Sequence, residues 1–249
     1  MTSAEPILKL DGVFAGYGKM TILNGVTARI RRGAITTVIG PNGAGKSTMF
    51  KAIFGLLTAR SGTINFDGRD VTNFSPRNML DIGVVYIPQG RNIFPELSVR
   101  HNLELGGVSL SDQASLPGRL DKIMQRFPML KEKARAQAST LSGGQQKVLE
   151  VARGLLLDPK LILIDEPSIG LSPLMVEEVF AILMNLRNKG VTILLIEQNA
   201  KQALQISDYG LVLEQGQTRI EDAASNILGD ARIAQLFLGG GLAPVAGAA

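Results

Sequence analysis

Cysteine is missing from the 249 residues, and histidine occurs once, at His101. Without thiols the chain can form neither disulfides nor thiolate metal sites. Long apolar runs are missing as well. The apolar runs at residues 161–164 and 193–196 fall far short of the ~20 residues that span a bilayer. Residues 1–6 lack the basic start and apolar run of a secretory signal, so none is expected. Any association with a membrane is therefore expected to run through partners. Charge of one sign is scarce too: the net charge of +4 is too small to argue for a nucleic-acid partner, and none is expected. What remains is ordinary for a globular protein, 45% hydrophobic and 19% charged, with length enough for one large domain or two small ones.

No internal repeat or linker divides the chain, which reads as one domain with subregions. From residue 7 to residue 39, short β-like stretches alternate with glycines read as turns: Gly12, Gly16, Gly18, Gly25 and Gly33. Residues 34–39 form an apolar, β-branched run suited to a buried strand. A helix is expected over 47–57, and a short strand over 63–67, closed by Gly68. Residues 91–138 are richer in charge and helix formers, with breakers at Pro95, Pro117 and Pro128, and read as a helical insertion. Val148, Val151, Ala152, Leu155 and Leu156 share one helical face, which Asp158-Pro159 ends. A strand over 161–165, a helix over 173–188 and a buried strand over 191–196 follow. Alternating strands and helices predict an α/β fold with a mostly parallel sheet covered on both faces. Residues 239–249 are small and apolar, and disorder is expected there.

Gly40-Pro41-Asn42-Gly43-Ala44-Gly45-Lys46-Ser47-Thr48 fits the G-x-x-x-x-G-K-S/T pattern between an expected strand and an expected helix. Glycines let backbone N–H groups turn inward around phosphate oxygens without Cβ clashes. The following helix presents free N–H groups and its positive dipole end to the same anion. Lys46 adds a point charge at the outer phosphates, and the Ser47 hydroxyl can ligate Mg²⁺. Asp165 and Glu166 then end the apolar strand 161–165, at the edge where open α/β sheets bind ligands. Asp165 is placed to hold Mg²⁺ and Glu166 to polarise an attacking water. Together the two motifs predict nucleoside triphosphate binding.

Leu141-Ser142-Gly143-Gly144-Gln145 opens the helix with the apolar face. A serine with two glycines at a helix start offers free N–H groups, a hydroxyl and no obstructing side chain, which makes a second anion site. Alone, the triplet would read as a capping turn.

With these parts in place the sequence resembles the ATP-binding cassette family from about residue 7 to residue 238, and the motifs stand in the family's order. The resemblance makes Tyr17 the aromatic that stacks on adenine, Gly40 to Thr48 the Walker A loop and Gln89 the glutamine loop, which also reaches Mg²⁺. It makes Leu141 to Gln145 the family signature, and residues 161–166 the Walker B strand with its catalytic carboxylate. It implies a P-loop NTPase fold of the ABC ATPase type: a RecA-like core, an antiparallel β subdomain and a helical subdomain over about 91–157. It also implies a head-to-tail dimer in which ATP on one subunit is closed over by its partner's signature helix. A chain with one cassette then takes the second from another subunit.

Two positions depart from the family pattern. Gln198 stands where a histidine usually contacts the γ-phosphate, and Ser172 where an aspartate is common. Gln198 can donate a hydrogen bond but cannot carry charge or move a proton. The runs around these departures, with residues 91–99, resemble the smaller ATPase of bacterial branched-chain amino-acid importers. That resemblance implies two different ATPase subunits, two integral-membrane permeases, a periplasmic binding protein, and a place on the cytoplasmic face of the inner membrane. Importers for urea or short-chain amides look much alike and remain an alternative. A non-transport cassette usually carries two cassettes, coiled coils or zinc modules, and a nucleotide-gated scaffold would not need Glu166. The region from Gln89 to Leu105, with Phe94, Pro95 and Leu97, is the expected permease contact, with core packing as the alternative reading of those three side chains.

Overall fold

The structure is a computed structural model and describes residues 5–230. The tail over 239–249, and the end of the family resemblance at 231–238, lie outside the described residues. The chain opens with two long strands, β1 (Pro6–Tyr17) and β2 (Met20–Arg31), paired antiparallel. β3 (Ile35–Ile39) runs into α1 (Lys46–Ile53); β4 (Ala59–Phe66) and the short β5 (Arg69–Asp70) follow, then α2 (Pro76–Asp81) and β6 (Val84–Ile87). A helical stretch holds α3 (Val99–Gly106), α4 (Leu116–Arg126), α5 (Pro128–Glu132) and α6 (Gly143–Leu155). The chain then alternates again: β7 (Leu161–Asp165), α7 (Pro173–Asn188), β8 (Thr192–Ile196), α8 (Ala200–Gln205), β9 (Tyr209–Glu214), β10 (Gln217–Ala223) and α9 (Ala224–Gly229).

Two sheets result. The first is antiparallel, in the order β2-β1-β4-β5; the second has the order β10-β9-β3-β8-β7-β6, parallel except for the β10 edge. Strict alternation along the parallel strands sends side chains to opposite faces. Val38, Leu161, Leu163, Leu194, Ile196, Leu211 and Leu213 pack with α1 and the antiparallel sheet. Ile35, Ile162, Ile164, Ile193 and Leu195 pack on the other face with α6, α7 and the helical stretch. Every residue of β3, β7 and β8 is buried, which is why those strands read as mostly aliphatic or β-branched runs without period-2 alternation.

The local details revise several sequence expectations. Gly12, Gly16 and Gly25 lie inside the long strands rather than in turns, beside register shifts in the β1 pairings or within β2. Gly12 and Gly25 adopt φ of 57° and 84°, so there they supply the backbone freedom of bulges. Strand β4 begins at Ala59, ahead of the expected 63–67. The helix after the phosphate loop stops at Ile53, because Gly55 turns with φ 78° where a Cβ would lie 1.9 Å from the Phe74 carbonyl oxygen. Pro117 and Pro128 start helices instead of breaking them: each occupies the first turn of α4 or α5, where a missing N–H costs nothing.

Candidate nucleotide site

Parallel pairing places the carboxyl ends of β3, β6, β7 and β8 along one edge, with Val38 opposite Ile196, Asp165 opposite Ile196, and Ile87 opposite Ile164. The segments that leave this edge carry Gly40, Gln89, Glu166 and Gln198. A cleft of about 500 Å³ opens there, lined by Asn42, Gly43, Gly45, Lys46, Ser47 and Thr48 from the loop, and by Gln89, Glu166 and Gln198. Tyr17, Ile22 and Ile169 complete the lining.

The glycines of the loop have separate duties. At Gly40, with φ 152°, a Cβ would lie 2.0 Å from the Leu213 carbonyl oxygen, so the chain needs glycine to pass β9. Gly43 and Gly45 turn with φ of 80° and 102°. Gly45 is also the N-cap of α1, and no side chain caps that helix, so its first N–H groups face the cleft end of the loop. The Lys46 ammonium folds back over the loop and donates to the carbonyl oxygens of Gly40 (2.8 Å) and Pro41 (3.1 Å). Ala44 N donates to Pro41 O, and Gly216 N donates to Ala44 O, so β9–β10 braces the loop from behind. Burial holds the Lys46 pKa below its ordinary value, and the Glu166 and Asp165 charges oppose that fall.

Asp165 is buried at the end of β7. Tyr86 donates to its Oδ2 at 3.3 Å, while Oδ1 is enclosed without a hydrogen-bond partner. Burial pushes the Asp165 carboxyl above the usual range; Ser47 and Tyr86 hydrogen bonds and the charges of Lys46 and Lys51 pull it back. A buried acceptor oxygen left open beside a serine hydroxyl suits a hard cation, so Ser47 and Asp165 fit Mg²⁺. No cluster of three or more His, Cys, Asp or Glu able to hold a metal occurs among the described residues.

Glu166 has a left-handed backbone, φ 48°, which turns it away from the Asp165 direction. Its N–H donates to Ile196 O at 2.9 Å, and its Oε2 accepts from Gln89 Nε2 at 2.7 Å. With its amide nitrogen committed to Glu166, Gln89 has its carbonyl oxygen left for a cation. The backbone just beyond Gln89 is tied to α6: Lys147 Nζ donates to Gly90 O at 3.0 Å, and Asn92 N donates to Glu150 Oε1 at 2.6 Å. Lys147 and Glu150 form a buried ion pair, so the loop and α6 are held by one polar unit.

Glu197 escaped the sequence reading. Buried at the end of β8, it accepts from Ser168 N (2.9 Å), Ser168 Oγ (2.6 Å) and Gln198 N (3.2 Å). It therefore straps the turn that carries Glu166 to the turn that carries Gln198. Burial raises its pKa, and hydrogen bonds from Ser168 and Gln198 resist that rise. The signal was present, since an acid directly follows a run of four aliphatic residues, Ile193 to Ile196. Tyr86 and Ile22 had no such signal.

Ser142 caps α6, accepting from Gln145 N while the Gln145 side chain accepts from Ser142 N, a reciprocal capping box. Lys133 Nζ also donates to Gln145 Oε1. Leu141 is buried, Ser142 exposed and Gly143 partly exposed. Gly144 is buried against α7, where a Cβ would lie 2.2 Å from Met175 Sδ. None of Leu141 to Gln145 lines the Lys46 cleft of the same chain. Ser172 is the N-cap residue of α7 and makes no side-chain cap bond. His101 lies on α3 and does not line the cleft. Phe94 is 50% exposed, Pro95 is exposed and Leu97 is half-buried.

A glycine-rich loop closing on an uncapped helix, a buried aspartate and a turned-out glutamate at one sheet edge define a P-loop nucleotide-binding α/β protein. Comparison with known proteins narrows the class. The family described as ABC transporter matches residues 23–169. The chain is 38% identical over 234 residues to the high-affinity branched-chain amino acid transport ATP-binding protein BraG of Pseudomonas aeruginosa, covering 94% of this chain and 100% of that protein. It is 37% identical to the probable branched-chain amino acid transport ATP-binding protein LivF of Archaeoglobus fulgidus, covering 90% of this chain and 95% of that one. Among solved structures, the ADP conformation of an ATP-binding cassette of an ABC transporter superposes with a TM-score of 0.84 at 30% identity, covering 94% of this chain and 99% of that chain. The chain belongs to the ABC transporter family, as an ATP-binding and ATP-hydrolysing protein. No helix of the described residues is long and apolar enough to cross a membrane.

Proposed function

We propose that this chain is the ATPase subunit of an importer for branched-chain amino acids, acting on the cytoplasmic face of a bacterial inner membrane. The observation that carries the enzymatic part is the convergence of Lys46, Ser47, Gln89, Glu166 and Gln198 on one cleft, with Asp165 buried next to Ser47 at the end of β7. The cargo rests on likeness to relatives whose names state branched-chain amino-acid transport.

In this reading ATP enters with its base on Tyr17 and its phosphates in the loop from Gly40 to Thr48. Lys46 leaves the Gly40 and Pro41 carbonyls for the outer phosphates, exchanging neutral acceptors for charged ones. Magnesium, when bound, would supply positive charge to the phosphates, and Ser47, Asp165 and Gln89 are the residues that would hold it. Glu166 orients a water and takes its proton as the water oxygen bonds to the γ-phosphorus and the bond to the β–γ bridging oxygen breaks. Gln198 donates its amide to the γ-phosphate. Leu141 to Gln145 serve a nucleotide on a neighbouring ATPase subunit, since they do not line the chain's own cleft. The neighbour is a second, different ATPase, with self-pairing available to the isolated chain. Two permeases take the mechanical output, and a periplasmic binding protein delivers the solute to them.

Uptake of labelled leucine by the reconstituted complex tests the proposal. ATP-dependent uptake that Glu166→Gln abolishes supports it. Uptake of urea instead of leucine refutes the cargo, and equal ATP turnover by wild type and Glu166→Gln refutes the role of Glu166.

A further inference from the structure

The tip of the β1–β2 hairpin carries Tyr17, which pairs with Met20 across a tight turn. The turn is crowded: a Cβ on Gly16 would lie 2.0 Å from the Met20 carbonyl oxygen, and Gly18 has φ 52°. No hydrogen bond holds the Tyr17 side chain among the described residues. Its ring is 47% exposed, with the Lys51 ammonium 5.8 Å from its centre. The backbone of the tip therefore sets where the side chain leaves the chain and which rotamers bring its ring to the cleft.

That backbone is gripped from outside the hairpin. Arg60, on the neighbouring strand β4, reaches across the tip. Its Nη2 donates to the carbonyl oxygens of Gly18 (2.8 Å) and Met20 (3.2 Å), and its Nη1 donates to Thr21 Oγ1 (2.9 Å). The two carbonyls lie within three residues of Tyr17, one in the turn and one on the residue that pairs with it. A planar guanidinium can hold two carbonyls and a hydroxyl together, whereas an ammonium is a single point donor. None of these hydrogen bonds goes to the phosphate loop.

We propose that Arg60 is a positioning residue for the nucleotide base: by clamping the Gly18 and Met20 carbonyls it holds Tyr17 at the cleft and raises affinity for the base alone. The inference rests on the reading of Tyr17 as the stacking aromatic, and the two can fail separately.

The test is calorimetric binding to the full chain of two probes, ATP and inorganic tripolyphosphate, which lacks a base, with Glu166→Gln as background to prevent turnover. Arg60→Met keeps the aliphatic stem and removes every donor. It is expected to weaken ATP about three- to tenfold, while tripolyphosphate changes by less than about twofold. Arg60→Lys should fall between Met and wild type. Tyr17→Ala should show the same base-selective loss. If Arg60→Met weakens both probes equally, or neither while Tyr17→Ala still weakens ATP, the proposal is overturned and the Tyr17 reading stands. If Tyr17→Ala leaves ATP binding unchanged, the underlying reading falls and the proposal with it.

Discussion

Gly144→Ala separates two reasons for a glycine at the start of α6. The added Cβ would meet Met175 Sδ at 2.2 Å, Cγ at 2.9 Å and Cβ at 3.0 Å. Carbon contacts are optimal near ~3.5–4.0 Å, so the thioether must swing away. A methionine side chain can do so readily. Its Cβ cannot, being fixed to α7, so α6 and α7 must also part by a few tenths of an ångström. Overpacking of this kind costs about 1–3 kcal/mol. Met175→Ala removes Sδ and Cγ and leaves one close contact, so the double variant should regain most of the loss, with a coupling of about 1–2 kcal/mol. The chain has no tryptophan, so far-UV circular dichroism through a urea series is the suitable readout. If the glycine also clears a path for a neighbour's phosphate, the rescued double variant will be stable yet slow in ATP hydrolysis. Losses that simply add, with no coupling, would refute the helix-contact argument.

Two further perturbations follow from the far end of the cleft. Gln198→His restores a group able to carry charge toward the γ-phosphate; single-turnover hydrolysis should rise about tenfold, and an unchanged rate would show that position 198 does not limit chemistry. Glu197→Gln tests the buried strap through pH. The folded pKa of Glu197 is raised, so above the unfolded value the native state binds more protons, and stability falls as pH rises through the window up to the folded pKa. Urea midpoints of Glu197→Gln, compared with wild type, should gain across that window and stay level beyond it. A difference independent of pH would contradict the burial argument.

The apolar runs of β3, β7 and β8 were legible because their strands are buried on both faces, and the phosphate loop because its residue types are dictated by the anion. What stayed hidden depended on distant partners. Gly12 and Gly25 carry the same turn propensity as Gly18, yet the pairing of β1 with β2 and β4 makes them irregularities within long strands. Proline at 117 and 128 breaks a helix only in its interior, and the sequence does not say which turn it will occupy. Gly144 read as clearance for an anion, and its close neighbour Met175 lies 31 residues on in the chain. Arg60 looks like any surface arginine until β4 is laid beside the hairpin. Glu197 could have been noticed, since a carboxylate at the end of a fully buried strand needs donors, and Ser168 supplies two of its three.

The proposed mechanism requires one nucleotide to be shared between the Lys46 cleft of one subunit and the Ser142 helix start of another. Sedimentation of Glu166→Gln at high concentration, with and without Mg-ATP, tests this when repeated with Ser142→Arg added. Two-subunit particles that appear only with ATP, and are lost on adding Ser142→Arg while ATP affinity per chain stays within about twofold, are the predicted result. Loss of ATP binding by the lone chain carrying Ser142→Arg, or ATP-driven pairing that ignores the substitution, would contradict it.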